Sequence, residues 1–280
     1  MPSPSPTTFS ATALTELGAT RTGVLQLRRE WVADDPRAVI LVVHGISEHS
    51  GRYEHVGQYL SAQGYGVVSY DQRGFGQSGG RRAHALDIDE FLDDVEDHLA
   101  VLRQPDRPVV VLGHSMGGLI AAAHACSNRP QPDGLILSGA ALLGPMPEAL
   151  AVVPKLLAPL AGRRGVSLPI ATSVLSRDQA VCDAYDDDPL VDTRSTLDLY
   201  NALSAGMRRT RARLDRIRVP TLALHGADDE LVPPAATELL SGRPGIETRL
   251  YPGHRHEIFN ELDWEAVLGD VVDWLGRQGL

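Results

Sequence analysis

The 280-residue chain has an ordinary globular composition, with 43% hydrophobic and 22% charged residues, so it has enough apolar side chains for a large core. Its formal net charge of −10 disfavours binding to nucleic acid or to an anionic membrane surface, because an acidic protein repels phosphate groups. No apolar run approaches the ~20 residues of a membrane-spanning helix, and Met1 to Thr8 lacks the basic and apolar regions of a signal peptide. We therefore expect a soluble, cytoplasmic protein.

Predicted strands and helices alternate along most of the chain. Residues 1–20 are predicted to form a flexible tail, and the alternating polarity of residues 21–32 predicts a short hairpin. Runs of apolar residues predict buried strands at 38–43, 67–70, 109–112, 134–137, 219–224 and 246–251. Helical spacing of apolar residues predicts helices at 56–62, 88–102, 119–126, 235–240 and 264–275. This alternation indicates an α/β fold with a doubly wound, mostly parallel sheet.

One stretch, residues 142–217, interrupts the alternation and contains no clear strand. Its first part is apolar and punctuated by prolines, whereas residues 176–216 are charged and helical in pattern. Ligands bind at the carboxyl ends of the strands in such sheets, so we interpret the stretch as an insertion that covers those ends. The alternative is that it extends the core. On the first interpretation, residues 21–141 and 218–280 form the core and residues 142–217 form a cap.

A G-x-S-x-G motif at residues 113–117 predicts a nucleophile at Ser115. Glycines two positions before and after the serine permit a tight, strained turn that exposes the hydroxyl. A second match surrounds Ser78, but that serine lies several residues beyond its strand and precedes no apolar helix. Ser115 directly follows one predicted strand and directly precedes a predicted helix. The context therefore favours Ser115, and Ser78 is interpreted as a loop serine.

Acyl transfer also requires donors for the oxyanion that develops on the substrate. The backbone N–H of Met116, just after the predicted nucleophile, is one candidate. The second candidate is the N–H of Ile46, since His44-Gly45-Ile46 directly follows the predicted strand 38–43. The alternative interpretation of His44-Gly45 is a tight turn without a catalytic role.

The acid and the base should follow the serine in that order along the chain. Three acids follow the strand 219–224, namely Asp228, Asp229 and Glu230. After the last strand, the base could be His254 or His256, with His225 as a more remote candidate. The acid would orient the imidazole, which would remove the serine proton. The residues alone leave two histidines and three acids open.

These motifs resemble the monoacylglycerol lipase and lysophospholipase family of α/β-hydrolases over nearly the whole chain after the tail. The most specific matching segment is H-G-I-S-E-H-S-G-R-Y at residues 44–53, because its second half is typical of this family rather than of hydrolases at large. The other matching segments are G-H-S-M-G-G, the stretch from L-S-R-D to D-D-P-L, H-G-A-D-D-E-L-V-P and Y-P-G-H-R-H-E-I-F-N-E.

The resemblance implies an α/β-hydrolase fold, with Asp229 as the acid and His256 as the base. It also implies that Ile46 and Met116 supply the oxyanion hole and that the apolar first part of the cap faces lipid. We expect Leu142, Leu143, Leu156 and Leu157 to bind the acyl chain.

The expected reaction is cleavage of carboxylic esters of single-chain lipids, monoacylglycerols above all, through an acyl-enzyme on Ser115. No cofactor or metal is expected, and the cap could contact a lipid interface transiently. The alternatives are a lysophospholipase, a general carboxylesterase and a non-catalytic ligand receptor of the same fold. The sequence leaves the oligomeric state open.

The chain departs from the family in one loop. Members usually have D-H-R-G-H-G-x-S where this chain has D-Q-R-G-F-G-Q-S at residues 71–78, so both histidines are replaced. This loop is not expected to hold the triad, so the chemistry should survive, but the departure leaves the shape of the pocket and the substrate preference open.

Other residue clusters favour structural roles. Cys126 and Cys182 lie in unlike contexts, and we expect two buried thiols rather than a disulfide. The histidines show no metal-binding spacing, and the loop glycines form no nucleotide-binding motif. Two charged clusters are interpreted as solvated helix faces. They are the acids Asp93, Asp94, Glu96 and Asp97, and the arginines Arg208, Arg209, Arg211 and Arg213.

Overall fold

The computed structural model describes residues 14–144, 165–167 and 171–280. In chain order the strands are β1 (Leu14–Ala19), β2 (Leu25–Trp31), β3 (Val39–Val43), β4 (Gly66–Tyr70), β5 (Val109–His114), β6 (Gly134–Ser138), β7 (Gly165–Ser167), β8 (Arg194–Thr196), β9 (Thr221–Gly226) and β10 (Ile246–Tyr251). The α-helices are α1 (Glu54–Ala62), α2 (Asp89–Leu102), α3 (Met116–Ala125), α4 (Gln179–Asp187), α5 (Leu197–Arg211), α6 (Ala235–Glu238) and α7 (Trp264–Gln278).

Within the described ranges, eight strands form one sheet in the order β1-β2-β4-β3-β5-β6-β9-β10. Strands β3, β4, β5, β6, β9 and β10 run parallel, whereas β2 pairs with β4 in the antiparallel direction. The predicted parallel α/β sheet is therefore confirmed. No helix in these ranges has both the length and the apolarity to cross a bilayer, and the cytoplasmic location stays a prediction.

Helices cover both faces of the sheet, and strand β3 shows how. All five of its residues are buried. Val39, Leu41 and Val43 pack into a cluster with apolar residues of α2 and α3. Ile40 and Val42 point the other way and pack with residues of α1 and α7. Because successive strand residues face opposite sides, a continuous apolar run is what a strand buried on both faces requires.

The N-terminal hairpin differs from its predicted position. Strand β1 lies inside the predicted tail and pairs with β2 in the antiparallel direction from Leu14 to Ala19. Only the second strand of the hairpin falls within the predicted range 21–32, and the two strands turn through Thr20 to Val24. The segment L-T-E-L-G-A has a weak apolar pattern, so the sequence alone does not predict the strand that its pairing with β2 reveals.

Residues between β6 and β9 include the predicted insertion. The expectation of no strand there is wrong, because β7 and β8 pair in the antiparallel direction apart from the main sheet. Helices α4 and α5 begin at capping side chains, since Asp178 accepts from the Ala180 N–H at 2.9 Å and Thr196 accepts from the Leu199 N–H at 3.1 Å.

The two charged clusters are only partly solvated faces. Arg209 forms a two-pronged ion pair with Asp89 of α2, and the Arg211 guanidinium donates to the Leu142 carbonyl at 3.1 Å. Asp94 is fully buried, at 2.6 and 2.7 Å from the Arg73 guanidinium. Both interpretations therefore need correction, because partners from distant segments meet these charges. Arg208 and Arg213 are exposed as predicted, and both cysteines are buried free thiols.

Candidate active site

Ser115 occupies a sharp turn between the end of β5 and the start of α3. Its backbone has φ 53° and ψ −115°, a conformation that is strained for a residue with a side chain. The surrounding chain fixes this turn: the Ser115 N–H donates to the Ser138 carbonyl at 2.9 Å, and the Ser115 carbonyl accepts from Leu119 and Ala141, each at 3.0 Å.

The flanking glycines are sterically required. A Cβ on Gly117 would lie 2.0 Å from the Val43 carbonyl oxygen, and one on Gly113 would lie 2.4 Å from the Gly117 carbonyl oxygen. The turn therefore packs closely against the end of β3. This is the strand–turn–helix context that the motif predicts. Ser78, by contrast, lies in a loop, where its hydroxyl donates to the Asp71 carbonyl at 2.6 Å.

Among the predicted acids and bases, Asp229 and His256 are hydrogen-bonded to each other. His256 Nδ1 lies 2.7 Å from Asp229 Oδ2, and both side chains are buried. The other carboxylate oxygen, Oδ1, accepts from the backbone N–H groups of Leu231 and Val232 at 2.8 and 2.9 Å. The carboxylate bond assigns the imidazole proton to Nδ1 and leaves Nε2 free to accept a proton.

The electrostatics of Asp229 keep it ionised. Burial by itself disfavours the charged form, but hydrogen bonds from His225 and His256 outweigh it and hold the pKa of Asp229 well below its ordinary value. A carboxylate in this state can stabilise the positive charge that an imidazole acquires when it takes up a proton.

The competing candidates are placed elsewhere. Asp228 and Glu230 are exposed, and His254 Nε2 lies 3.1 Å from Asp263 Oδ1. The turn at residues 226–229 explains the choice, because the Asp229 N–H bonds back to the Gly226 carbonyl at 3.3 Å while the Asp229 side chain is directed inward.

The His256 ring lies beside the Ser115 turn. Its centroid is 4.8 Å from that of His114, the residue before Ser115. Gly139 is also close to the ring, since an added Cβ on it would lie 3.3 Å from His256 Cε1. Since Ser138, the neighbour of Gly139, bonds the Ser115 backbone, the same short segment contacts the predicted nucleophile and base.

The predicted oxyanion loop approaches Ser115 from β3. An added Cβ on Gly45 would lie 3.2 Å from Ser115 Cβ, so Ile46 follows a residue in close contact with the nucleophile. Met116 is the first residue of α3, where backbone N–H groups lack partners within the helix. Both predicted donors therefore lie on segments adjacent to Ser115.

A buried charge network that the motifs do not predict supports this loop. Glu48 Oε1 accepts from the Gly45 N–H and, at 2.9 Å, from the Tyr53 hydroxyl. Arg52 contacts Glu48 at 3.1 Å and holds Glu257 with two bonds of 2.7 Å. Burial opposes the ionisation of Glu257, but Arg52 lowers its pKa to about 2. Three residues of the E-H-S-G-R-Y segment, Glu48, Arg52 and Tyr53, therefore have a structural role in this network.

The unusual loop at residues 71–78 also contacts the predicted oxyanion loop. The Gln72 N–H donates to His44 Nε2 at 2.9 Å, and its side-chain amide donates to the His44 carbonyl at 2.6 Å. Phe75 packs edge-on against the His44 ring, with 6.0 Å between centroids. Gln72 and Phe75 are both buried, and both departures from the family pattern contact His44 of the predicted oxyanion loop.

The predicted acyl-chain residues are only partly described. Leu142 is fully buried within the core cluster that includes Met116 and Leu119, and Leu143 packs against that cluster half-buried. Leu156 and Leu157 lie outside the described residues.

The fold and this geometry define a serine hydrolase of the α/β-hydrolase class. More narrowly, the chain belongs to the family described as Hydrolase_4, serine aminopeptidase S33, whose model matches residues 34–263. It is 36% identical to a monoacylglycerol lipase of Mycolicibacterium smegmatis, over 88% of this chain and 90% of that protein. It is also 33% identical to the phospholipase YtpA of Bacillus subtilis, over 85% of this chain and 94% of that protein.

A solved structure of a monoacylglycerol lipase has a similar fold. The monoacylglycerol lipase of Paleococcus ferrophilus superposes with a TM-score of 0.82 at 27% identity, covering 94% of this chain and 99% of that one. The resemblance predicted from the motifs is thus confirmed at the level of the family and the fold.

Proposed function

We propose that the protein hydrolyses monoacylglycerols to free fatty acid and glycerol through an acyl-enzyme on Ser115. The observation that carries the reaction type is the buried Asp229–His256 hydrogen bond beside the strained Ser115 turn. The substrate class is supported by the 36% identity to the mycobacterial monoacylglycerol lipase.

The proposed reaction begins when His256 Nε2 removes the Ser115 proton and Oγ attacks the ester carbonyl. The backbone N–H groups of Ile46 and Met116 hold the oxyanion, and removing one such donor typically lowers kcat by ~10²–10³-fold. His256 then protonates the departing glycerol. Water, deprotonated by His256, attacks the acyl-enzyme and releases the fatty acid. Asp229 stays ionised and stabilises protonated His256 at each step.

We also propose that residues 142–217 form a cap over this site. Several contacts support that position. The His256 and Glu257 N–H groups donate to the carbonyls of Val174 and Leu175 at 3.4 and 2.8 Å. In addition, His49 Nε2 lies 2.8 Å from Asp188 Oδ2. The cap residues thus contact both loops that flank Ser115.

The acyl-chain assignment extends the cap proposal. We propose that the apolar residues 142–160 line the acyl-chain path, with Leu142, Leu143, Leu156 and Leu157 as the binding residues, and contact a lipid interface. An apolar patch on a chain of net charge −10 would engage lipid through the hydrophobic effect rather than through charge.

One relative favours a second substrate class. The phospholipase YtpA makes a lysophospholipid the main competing substrate, since the same acyl transfer would cleave it. A general carboxylesterase would share the chemistry without a preference for long chains.

The test is a panel of initial rates on monoacylglycerols of several chain lengths, a lysophospholipid and a short-chain ester, with Ser115→Ala as the blank. Preference for the monoacylglycerols would support the proposal, and preference for the lysophospholipid would replace it with phospholipase activity. Labelling of Ser115 by a fluorophosphonate is the companion measurement. A folded protein that is neither labelled nor active would favour a ligand receptor.

A further inference from the structure

A second histidine contacts the carboxylate of Asp229. His225 lies at the carboxyl end of β9, fully buried, four residues before Asp229. Its Nε2 is 2.9 Å from Asp229 Oδ2 and 2.9 Å from the Val232 carbonyl oxygen. Its Nδ1 is 2.8 Å from the Thr237 hydroxyl, which can donate a hydrogen bond. Every polar atom of the ring therefore has a partner.

These partners fix the tautomer of His225. The Asp229 carboxylate and the Val232 carbonyl can only accept, so Nε2 must carry a hydrogen. The Thr237 hydroxyl can then donate to an unprotonated Nδ1. This arrangement excludes His225 as the general base, because its accepting nitrogen faces Thr237 and not the Ser115 turn.

Asp229 Oδ2 consequently lies between two imidazoles. His256 Nδ1 approaches it at 2.7 Å and His225 Nε2 at 2.9 Å, while Oδ1 accepts two backbone N–H groups. Each additional donor on a carboxylate disperses its negative charge and restricts its rotation.

We propose that His225 is a positioning residue that orients Asp229 and weakens the attraction of its Oδ2 for protonated His256. The inference rests on the proposed function, because it takes Asp229 and His256 as the acid and base. Without His225, the charge on Oδ2 would be dispersed less and would attract the His256 imidazolium more strongly. His256 would then give up its proton less readily.

The charged groups around His256 should not obscure the effect of His225 on the pH dependence of kcat/KM. Burial and the nearby His256 charge lower the pKa of His114 to about 4, so His114 is neutral above pH 5. Glu257 and Glu48 are paired with Arg52, and Asp229 is ionised. The acidic limb of the kcat/KM profile should therefore report chiefly on the protonation of the proposed base.

The experiment measures kcat/KM from pH 5 to 9 on a water-soluble short-chain ester. In His225→Leu, the acidic limb should move upward by about half to one pH unit and kcat should fall about three- to tenfold, as expected for one lost hydrogen bond. His225→Gln retains an N–H donor and should restore the limb to its wild-type position. Thr237→Val releases Nδ1 and should shift the limb in the same direction by less.

His124→Leu is the matched control, since it removes another buried histidine at the far end of α3. It should leave the limb unchanged. An unchanged limb in His225→Leu and Thr237→Val, whatever their thermal stability, would overturn the inference. If His225→Leu does not fold, Thr237→Val decides the matter, and a wild-type limb in that variant overturns the inference.

A separate result tests the proposed function itself. Wild-type enzyme that turns over the ester and loses this activity in Ser115→Ala supports the proposed function, even if the His225 variants titrate like wild type. Wild-type enzyme without Ser115-dependent turnover would overturn both the proposed function and the role of His225.

Discussion

Arg52 and Glu257 form a two-pronged ion pair, with Nη1–Oε1 and Nη2–Oε2 distances of 2.7 Å. Glu257 directly follows His256, and Arg52 also contacts Glu48, which binds the Gly45 N–H. One guanidinium therefore joins the segment that carries the proposed base to the loop that carries a proposed oxyanion donor. Both segments are held at a common buried point.

Arg52→Ala should lower the free energy of unfolding by about 3–5 kcal/mol, because it leaves two buried carboxylates without a cation. Arg52→Lys should lose less, since it keeps the charge but not the two parallel bonds. Urea unfolding at pH 7 measures both. Arg209→Ala is the control: its ion pair with Asp89 is partly exposed and should contribute about 0–1 kcal/mol. Equal losses at positions 52 and 209 would contradict the prediction.

The Arg52–Glu257 pair should also make the free energy of unfolding depend on pH. Arg52 lowers the pKa of Glu257 in the folded state from its ordinary 4.5 to about 2. A depressed carboxyl pKa stabilises the fold above the unfolded-state value, and this stabilisation is lost as pH falls from about 4.5 toward 2. Urea unfolding across this range should show a shallower decline for Glu257→Gln than for wild type. Parallel declines would show that Glu257 is not involved.

The proposed triad predicts a sharp contrast between neighbours. Ser115→Ala, Asp229→Asn and His256→Ala should each lower kcat by roughly 10³-fold or more. Asp228→Asn and His254→Ala should have mild effects, because these side chains lie outside the Asp229–His256 pair. The measurement is kcat on a soluble ester, with circular dichroism to verify folding. Loss of activity in His254→Ala would reassign the base.

Gly139 offers a test of how closely His256 is packed. Gly139→Ala places a methyl group 3.3 Å from His256 Cε1 at a backbone φ of +53°, so it should lower both stability and kcat. Gly242→Ala is the matched control, since its φ is +73° with nothing within 4 Å. It should lose only about 1–2 kcal/mol of stability from backbone strain. A Gly139→Ala enzyme with wild-type kcat would contradict the packing argument.

Replacing Leu156 and Leu157 with serine tests the acyl-chain proposal. Turnover of long-chain monoacylglycerols should fall, because polar side chains would weaken burial of the acyl chain. Turnover of a short-chain ester should stay near wild type. Comparison of kcat/KM across chain lengths measures the difference, and equal losses on both substrates would contradict the assignment.

The elements that sequence predicts well are those with strong local signals. The continuous apolar run of β3 and the G-x-S-x-G turn between β5 and α3 each lie where the pattern indicates. Their conformations follow from burial on both faces and from the steric requirement for glycine. The sequence can therefore place Ser115 without knowledge of distant partners.

Other features depend on contacts with another segment of the chain. The helical periodicity predicts that Asp94 is solvated, but Asp94 is buried and paired with Arg73 of another loop. Strand β1 is defined by its pairing with β2 rather than by its own pattern.

The residues alone do not distinguish Asp228, Asp229 and Glu230 as the acid. The turn after Gly226 directs only the Asp229 side chain inward, and the spacing of residues does not predict that turn. The contact between His225 and Asp229, four residues apart, depends on the same turn and not on a distant segment.

The strained backbone of Ser115 implies that the fold is less stable than it would be with glycine at this position. Its φ of 53° suits glycine better than any residue with a side chain. Ser115→Gly should therefore produce a protein that withstands more urea than the wild type while being unable to form an acyl-enzyme. The gain in its unfolding midpoint would measure the stability that the fold loses by holding the proposed nucleophile in this strained turn.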